Sequence, residues 1–168
     1  DRVFLFLQSH ASFFGKDLFN EMQSQGAKCH IINVSLGDWF FRFGCGAKNY
    51  IGKLRDWRKY LESFIQKYNV TDIIYYADQR PYHRIARSLA HELSLRTYVY
   101  EFGYLRPDWI TLERGGMGPF SHFPNDPELI KKLANKIDYT PPKQSYPYPF
   151  LYEAICEVTY NMGPGLFP

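Results

Sequence analysis

The sequence predicts an α/β protein built on a Rossmann-like parallel sheet with helices on both faces. Short apolar runs rich in β-forming residues alternate with segments whose apolar residues recur at helical spacing. The links between these segments are short, which is typical of strand–helix–strand units with parallel strands. The 168 residues, of which 45% are hydrophobic, are enough to bury an ordinary core. No stretch approaches the length of about 18 apolar residues that a membrane-spanning helix needs.

The strands are predicted from their β-branched, aromatic and other apolar residues. In order they read RVFLFLQ, CHIINV, DIIYYA and RTYVYE, followed by a short fifth candidate, WITLE. They cover residues 2–8, 29–34, 72–77, 96–101 and 109–113.

The helices are predicted from their apolar periodicity. The clearest apolar stripe begins with Ile51, Leu54 and Trp57 and has charged residues on the opposite face. Ser12 is predicted to cap the first helix and Gly26 to end it. The predicted helices cover residues 12–25, 50–68, 82–93, 127–137 and 150–162. The aromatic, glycine-containing segment 37–44 is predicted as a loop.

The composition changes near residue 118, which predicts two regions. We expect residues 1–118 to form the Rossmann-like domain. Residues 119–168 are expected to form a Pro/Tyr-rich arm with helices, extended over 140–149, that leads to a second domain not present in this chain. The chain is therefore expected to be one part of a longer protein.

Composition also limits the classes of partner. A net charge of +3 and a pI near 8.7 are too mildly basic to indicate nucleic acid. Three cysteines without metal-binding spacing indicate reduced thiols, with neither a zinc site nor a disulfide framework. The aromatic content of 18% exceeds what the core requires. For the aromatic segment 39–43, core or interdomain packing is favoured over a sugar- or lipid-facing platform.

Ligands of open parallel sheets bind outside the carboxyl ends of the strands, and three polar segments are predicted to lie there. Gln8 and His10 follow the first strand. Asp78, Arg80 and His83 follow the third strand and open a helix, whose amino end attracts anions. The alternative for this second segment is a proline-initiated helix with solvated basic residues and Asp78 as its cap.

The third polar segment begins at Glu101 and continues through Gly103, Arg106 and Asp108, with Glu113 close behind. Burial at the strand end would raise the pKa of Glu101 unless Arg106 keeps it ionised. Gly103 would allow a sharp turn or the close approach of a ligand. A carboxylate beside an arginine can serve as acid, base or nucleophile with an anion clamp. The alternative is an ion pair of Arg106 with either glutamate that only fixes the loop.

Several common motifs are absent from the sequence. No GxGxxG follows any predicted strand, which weighs against an NAD or FAD site. There is no HExxH, no nucleophile elbow and no acidic pair for a metal. We therefore expect neither a metal nor a cofactor.

Taken together, five segments resemble the capsule polysaccharide biosynthesis/export proteins of Gram-negative bacteria, in their KpsS-type (LipB-like) branch. The segments are FLFLQSHASFF, GDWFF, NYIGKLRDW, DIIYYADQRPYHRIA and YEFGYLRPDWITLERGG. They occur in order from residue 2 to about residue 118, and the resemblance continues less tightly to LFP at the end of the chain.

The resemblance implies a retaining glycosyltransferase that moves β-linked Kdo (3-deoxy-D-manno-oct-2-ulosonic acid) from CMP-Kdo to a phosphatidylglycerol-type lipid. This step starts the linker of capsular polysaccharide. The implied fold is of the GT-B type, with two Rossmann-like domains facing a cleft, so this chain is expected to have incomplete activity on its own. A cytoplasmic protein, peripheral on the inner membrane, is implied. The other capsule assembly and export proteins are further expected partners, and nucleic acid is not.

Under this interpretation, Glu101 is the principal catalytic carboxylate and Asp78 and Glu113 are the further candidates. The predicted substrate contacts are Gln8, His10, Arg80, His83, Gly103, Arg106 and Asp108. The first alternative is a non-catalytic export or assembly factor that binds polysaccharide or its transporter. The second is a nucleotide-binding α/β enzyme of unrelated chemistry, which the missing glycine loop disfavours.

Overall fold

The computed structural model describes residues 1–103, 109–137 and 150–161. Within these residues, six strands form one sheet. They are β1 (Val3–Phe6), β2 (Lys28–Asn33), β3 (Lys48–Asn49), β4 (Asp72–Tyr76), β5 (Arg96–Phe102) and β6 (Ile110–Arg114). Their order across the sheet is β3-β2-β1-β4-β5-β6.

The sheet confirms the predicted Rossmann-like α/β class. Strands β1 to β5 are parallel, and their order reverses between β1 and β4, as in doubly wound folds. The edge strand β6 departs from the prediction of a parallel sheet, because it runs antiparallel to β5. The stretch between them is too short for the crossover that a parallel neighbour requires. The two-residue β3 was not predicted.

All five predicted helices are present with shifted ends, and one further helix replaces the predicted loop. The helices are α1 (Phe14–Ser24), α2 (Leu36–Phe41), α3 (Leu54–Tyr68), α4 (Pro81–Glu92), α5 (Pro127–Ala134) and α6 (Phe150–Asn161). A single 3-10 turn, Gly118–Phe120, follows β6. The predicted extended segment 140–149 lies outside the described residues.

Most of the core of the described residues belongs to two clusters, one on each face of the sheet. On one face, Leu5, Ile73 and Val99 pack against α3 and α4. On the other face, Phe6 and Ile74 pack against α1. Alternate residues of a strand point to opposite faces, so these buried strands are apolar on both sides. The Trp57 indole N–H donates to the Tyr82 carbonyl over 3.0 Å and joins α3 to α4.

The start of α3 lies four residues later than predicted, because Tyr50 folds over Gly52. The Tyr50 hydroxyl donates to the Lys53 carbonyl, and a side chain at Gly52 would approach the Tyr50 ring to within 2.5 Å. This packing makes a turn in place of a first helical turn. Ile51, predicted in the apolar stripe, is consequently 65% exposed.

Helix α2 corrects the prediction of a loop over residues 37–44. Ser35 and Asp38 form a reciprocal cap, in which the Asp38 backbone N–H donates to the Ser35 hydroxyl over 3.1 Å. The Asp38 carboxylate in turn accepts from the Ser35 hydroxyl and the Val34 N–H. This pairing gives hydrogen-bond acceptors to backbone N–H groups at the start of α2. Gly37, near that start, therefore does not prevent the helix from forming.

The cap predicted for α1 is also wrong in detail. Phe13, not Ser12, occupies the capping position, and its side chain makes no capping hydrogen bond. Helix α1 ends at Ser24, close to the predicted end at Gly26.

Helix α6 packs back onto the sheet domain. Its Cys156 lies in a small buried cluster with Ala11 and Phe41. Of the aromatic segment 39–43, Phe41 is therefore in the core as predicted. Trp39, Phe40 and Phe43 are 43%, 48% and 66% exposed, so they lie outside the core of this chain, and their packing against another domain stays a prediction.

Candidate functional site

The carboxyl ends of β1, β4 and β5 meet at one edge of the sheet, at the point where the strand order reverses. These strands are parallel neighbours. Beyond them, the Tyr76 N–H donates to the Gln8 carbonyl, and the Ala77 N–H donates to the Tyr100 carbonyl, both over 3.1 Å. Gln8, Asp78 and Glu101 therefore lie along the same edge, as their positions after the strands predict.

Asp78 is buried at this edge and joins three segments of the chain. One carboxylate oxygen accepts from the Gln79 side-chain amide over 2.9 Å. The other accepts from the Arg87 guanidinium over 3.3 Å and from the Met117 N–H over 3.1 Å. Only 3% of Asp78 is exposed, so these partners occupy most of its capacity to accept hydrogen bonds. This arrangement favours a positioning role for Asp78.

Glu101 is half-buried and belongs to a group of three carboxylates. Burial is the largest cause of a pKa raised above the usual range for glutamate, and the negative charges of Asp78 and Glu113 raise it further. Glu113 lies opposite Val99 across the β5–β6 pair, so it shares the face of the sheet with Glu101. A carboxyl group with a raised pKa in a cluster of acids is suited to proton transfer.

Glu113 is held by the segment that follows β6. Its carboxylate accepts a hydrogen bond from the Ser121 hydroxyl. This contact fixes one oxygen of Glu113 near Glu101 and ties residues 118–121 to the edge strand.

Arg80 stands at the start of α4, where the sequence predicts an anion site. It occupies the capping position, and Pro81 opens the helix. The half-buried guanidinium lies 5.3 Å from the centre of the Tyr76 ring. This cation–π contact orients the positive charge along the carboxyl edge.

His83 is fully buried, which does not fit the prediction that it contacts an anion. Its Nδ1–H donates to the Ala77 carbonyl over 2.6 Å, because a carbonyl oxygen can only accept. Burial lowers its pKa to about 3, so the ring is neutral at physiological pH. The contact holds Ala77, whose φ of 55° lies in the strained left-handed region. His83 therefore fixes the loop in place of binding a ligand.

His10 and Gly103 are near the edge, but their surroundings differ from the prediction of substrate contacts. His10 Nε2 lies 2.9 Å from the Glu157 carboxylate on α6, and the ring packs edge-on against Phe102. At Gly103, an added side chain would come within 2.5 Å of Trp109, and the Gly103 N–H donates to the Trp109 carbonyl. Because glycine has no side chain, Trp109 packs directly against this position. The structure therefore does not support the predicted approach of a ligand at Gly103.

Two predicted substrate contacts, Arg106 and Asp108, lie outside the described residues. The ion pair proposed between Arg106 and a glutamate therefore stays a prediction.

Arg42 is buried beneath the same edge and was not among the predicted site residues. Its guanidinium donates to the Leu7 carbonyl, the first residue after β1. Only 2% of Arg42 is exposed, and within the described residues its Nε and Nη1 have no hydrogen-bond partner. A buried cation without a carboxylate partner is costly, which makes it a candidate for balancing a bound anion. The one sign in the sequence that Arg42 has a special role is its position as a lone arginine among aromatic residues.

Other kinds of site find no support in the described part of the chain. No group of three or more His, Cys, Asp or Glu residues there could hold a metal ion. No described helix is both long and apolar enough to cross a membrane.

The fold and this edge define a Rossmann-like α/β protein with a carboxylate cluster along β4, β5 and β6, beside the topological switch point between β1 and β4. Residues 71–167 match the capsule polysaccharide biosynthesis protein family, and the chain belongs to that family.

Three curated relatives are similar over 135 residues at 30% identity, which is 79% of this chain. They are the capsule polysaccharide export protein KpsS of Escherichia coli and the capsule polysaccharide modification protein LipB of two Neisseria meningitidis strains, from serogroups A and B. The chain spans 34% of KpsS and 32% of each LipB, or about one third of their length.

A weaker likeness exists to a solved structure, the dTDP-glucose 4,6-dehydratase of Bacillus anthracis. The identity is 12% and the TM-score 0.35, over 70% of this chain and 46% of that chain. A likeness of this size assigns no function.

Proposed function

We propose that the full-length protein is a glycosyltransferase of capsular polysaccharide biosynthesis that transfers β-Kdo from CMP-Kdo to a phosphatidylglycerol-type lipid. Membership of the capsule polysaccharide biosynthesis family supports the pathway. The observation that carries the reaction is the cluster of Glu101, Asp78 and Glu113 at the carboxyl edge, in which Glu101 has a raised pKa.

Glu101 acts in this proposal as the principal acid–base group. Burial and two acidic neighbours raise the pKa of this carboxyl, which makes it a better proton acceptor than an ordinary glutamate. Transfer of Kdo passes through a state with positive charge on the sugar ring, which nearby carboxylates stabilise. Asp78 and Glu113 are the supporting carboxylates, and the contacts of Asp78 with Arg87 and Met117 keep this group in register.

The anionic parts of the substrates meet positive charge at the same edge. Kdo carries a carboxylate, and CMP-Kdo and the lipid carry phosphate. Arg80 at the start of α4 faces these groups in the proposal, with Gln8 on the neighbouring strand end. Arg42 adds a cation beneath β1.

The proposed enzyme is larger than this chain. A GT-B arrangement needs a second Rossmann-like domain, and the matched part of this chain covers only 34% of KpsS and 32% of LipB. We assign the present residues to the acceptor-side domain, with most donor contacts on the remainder of the protein. No cofactor other than the sugar donor is required.

A peripheral position on the cytoplasmic face of the inner membrane fits the exposed aromatic residues of α2 and of the segment directly after it. Trp39, Phe40 and Phe43 are all at least 43% exposed, and the Lys16 ammonium lies beside them on the Phe43 carbonyl. Aromatic side chains with a neighbouring cation suit an interface with anionic lipid headgroups. Other capsule assembly and export proteins are the expected partners there.

The test is to incubate the full-length protein with CMP-Kdo and a fluorescent phosphatidylglycerol analogue and to read the lipid by mass spectrometry. A mass increase of one Kdo is expected. An unmodified lipid, with a folded protein and intact donor, contradicts the proposal.

A second candidate is an export or assembly factor that binds capsular polysaccharide without catalysis. The observation that favours it is the name of the E. coli relative, a capsule polysaccharide export protein. Binding of polysaccharide with no transfer of Kdo in the same assay would support this alternative.

A further inference from the structure

A second cleft, with a volume of about 920 Å³, adjoins the carboxyl edge and extends away from it. It is bounded by α4, the start of β5, the last residue of β6 and the segment after β6. Its lining includes Arg84 on α4, Arg96 on β5 and Arg114 on β6.

The cleft shares a border with the carboxylate cluster but does not include Glu101. Two of its lining residues, Arg87 and Ser121, contact Asp78 and Glu113. Because Arg96 is the first residue of β5 and Glu101 lies near its last, the cleft reaches the end of that strand opposite Glu101.

The cleft has an excess of positive charge. Four arginines line it, and among its described lining residues Glu92 is the one acid. Glu92 is already paired with Arg58 on α3. Within the described residues, no ion pair joins Arg84 or Arg114 to a carboxylate, and both are exposed. These two arginines are available to an anionic ligand.

The other two lining arginines are fixed in place. Arg87 pairs with Asp78, and its guanidinium lies 3.7 Å from the centre of the Phe120 ring. Arg96 pairs with Asp72 over 2.7 Å. Fixed cations lose little side-chain entropy when a ligand binds, so they add to affinity at low cost.

The remaining lining suits a hydroxylated ligand. Ser88 and Ser121 contribute hydroxyl groups to the wall, and Phe120 is 44% exposed. The Ser88 hydroxyl donates to Glu92 and the Ser121 hydroxyl donates to Glu113, so both oxygens face a ligand as hydrogen-bond acceptors for its hydroxyl groups. An exposed ring face beside cations offers a stacking surface, while a cleft of this volume exceeds what one small anion fills.

We propose that this cleft binds an acidic saccharide chain, with carboxylate groups on more than one sugar. The positive charge selects for several anionic groups, and the serines and the Phe120 ring suit the sugar rings between them. The proposal uses the family to which the chain belongs and does not depend on the Kdo-transfer reaction.

The test uses the full-length protein and trigalacturonate, a trisaccharide with three carboxylates, in isothermal titration calorimetry. Maltotriose, a neutral trisaccharide, and inorganic phosphate are the comparison ligands. We expect saturable binding of trigalacturonate and none of maltotriose. The double variant Arg84→Glu/Arg114→Glu is expected to weaken trigalacturonate binding by at least ~10-fold, since it reverses two charges near the ligand.

The matched control reverses two exposed charges outside the cleft, Arg55→Glu/Lys59→Glu on α3. It should leave the affinity unchanged within about 2-fold, because screening limits distant surface charges. Equal weakening by the control, or phosphate binding as tightly as trigalacturonate, overturns the proposal. Absence of trigalacturonate binding overturns it too. Glu101→Gln separates the two proposals, because it should abolish Kdo transfer and leave trigalacturonate affinity intact.

Discussion

Strand β4 has an aspartate beside each of its ends, and the two carboxylates are held in different ways. Asp72 opens the strand and is fully buried between two arginines, Arg2 and Arg96. Asp78 follows the strand and has one arginine, Arg87, together with two acidic neighbours on β5 and β6. The carboxylate at the amino end of β4 therefore has two cationic partners, whereas the one at the carboxyl end has a single cationic partner and two acidic neighbours.

At the amino end, the charges favour stability. Burial alone would raise the pKa of Asp72, but hydrogen bonds from Arg2, Arg96 and Thr71 outweigh it and hold the pKa at about 2. Every oxygen of this carboxylate is used inside the protein. The network ties β1, β4 and β5 together.

At the carboxyl end of β4, several features lower the stability of the folded state. The pKa of Glu101 is raised, and Ala77 has a left-handed backbone. His83 Nε2 is buried and has no hydrogen-bond partner among the residues that the structure describes. Strain and unsatisfied groups of this kind concentrate at functional sites. The contrast within one strand indicates that its amino end serves the fold and its carboxyl end serves binding or chemistry.

The largest expected effect on stability comes from Asp72→Asn. The change removes the charge-assisted hydrogen bonds that the half-exposed Arg2 and Arg96 donate to a buried carboxylate, so the free energy of unfolding should fall by about 2 kcal/mol. Denaturant unfolding of the full-length protein measures it. Asp1→Asn is the control, since the Asp1–Lys28 pair is exposed and should matter by less than about 0.5 kcal/mol.

The pH dependence of stability sharpens the same prediction. The pKa of Asp72 in the folded protein is about 2, below the usual aspartate value of 3.8. Its contribution is therefore complete above pH 4 and is lost as the pH falls from about 4 to about 2. Asp72→Asn should flatten the stability curve in that window. An unchanged slope in the variant would argue against the network as a source of stability.

Glu101→Gln is expected to affect the reaction and not the fold. The change preserves size but removes the titratable proton, so turnover of Kdo by the full-length protein should fall at least ~100-fold. Melting temperature should stay near the wild-type value. Glu128→Gln, on the exposed surface of α5, is the control. Near wild-type turnover by Glu101→Gln would move the catalytic role to Asp78, Glu113 or Asp108.

Arg80→Ala should weaken substrate binding by about 10-fold, equivalent to about 1.4 kcal/mol, because one charge facing an anion is lost. The KM for the lipid acceptor or for CMP-Kdo is the measurement. Stability should change little, since the guanidinium is partly exposed. Arg55→Ala on α3 is the matched control. A large drop in stability with unchanged KM values would assign Arg80 to the fold.

The smallest expected effect is that of Ala77→Gly. Glycine adopts a φ of 55° without strain, so the change should stabilise the folded state by about 1–2 kcal/mol. The greater freedom of glycine in the unfolded chain offsets about 0.5–1 kcal/mol of this gain. The net gain in stability is about 0.5 kcal/mol or slightly more. The same change at Ala86, inside α4, should instead be destabilising. Destabilisation by Ala77→Gly would mean that the backbone strain is not relieved.

The strand–helix alternation was enough to predict the sheet, the five helices and the edge at which Gln8, Asp78 and Glu101 meet. This succeeded because parallel strands place their carboxyl ends together whatever their exact bounds. The predicted start of α3 was wrong, because it depends on the packing of Tyr50 on Gly52. The prediction of a loop in place of α2 was wrong, because that helix depends on the Ser35–Asp38 cap.

The candidate site was harder to predict than the fold. His83 follows the strand like a ligand-binding residue, yet the turn at Ala77 directs its ring into the core. Arg42 lies far from the strand ends in sequence and reaches Leu7 only through α2. The sequence specifies which residues follow a strand, whereas side-chain direction depends on the turn after it.

Hydrogen–deuterium exchange of the full-length protein, with and without CMP and a short-chain phosphatidylglycerol, tests most directly whether the carboxyl edge is the ligand site. We expect slower exchange in peptides covering residues 7–12 and 77–84, because ligands there shield the loops after β1 and β4. Exchange around residues 70–73, at the opposite end of β4, should be unchanged. Protection confined to that opposite end, or none in either loop under saturating ligand, would contradict the assignment.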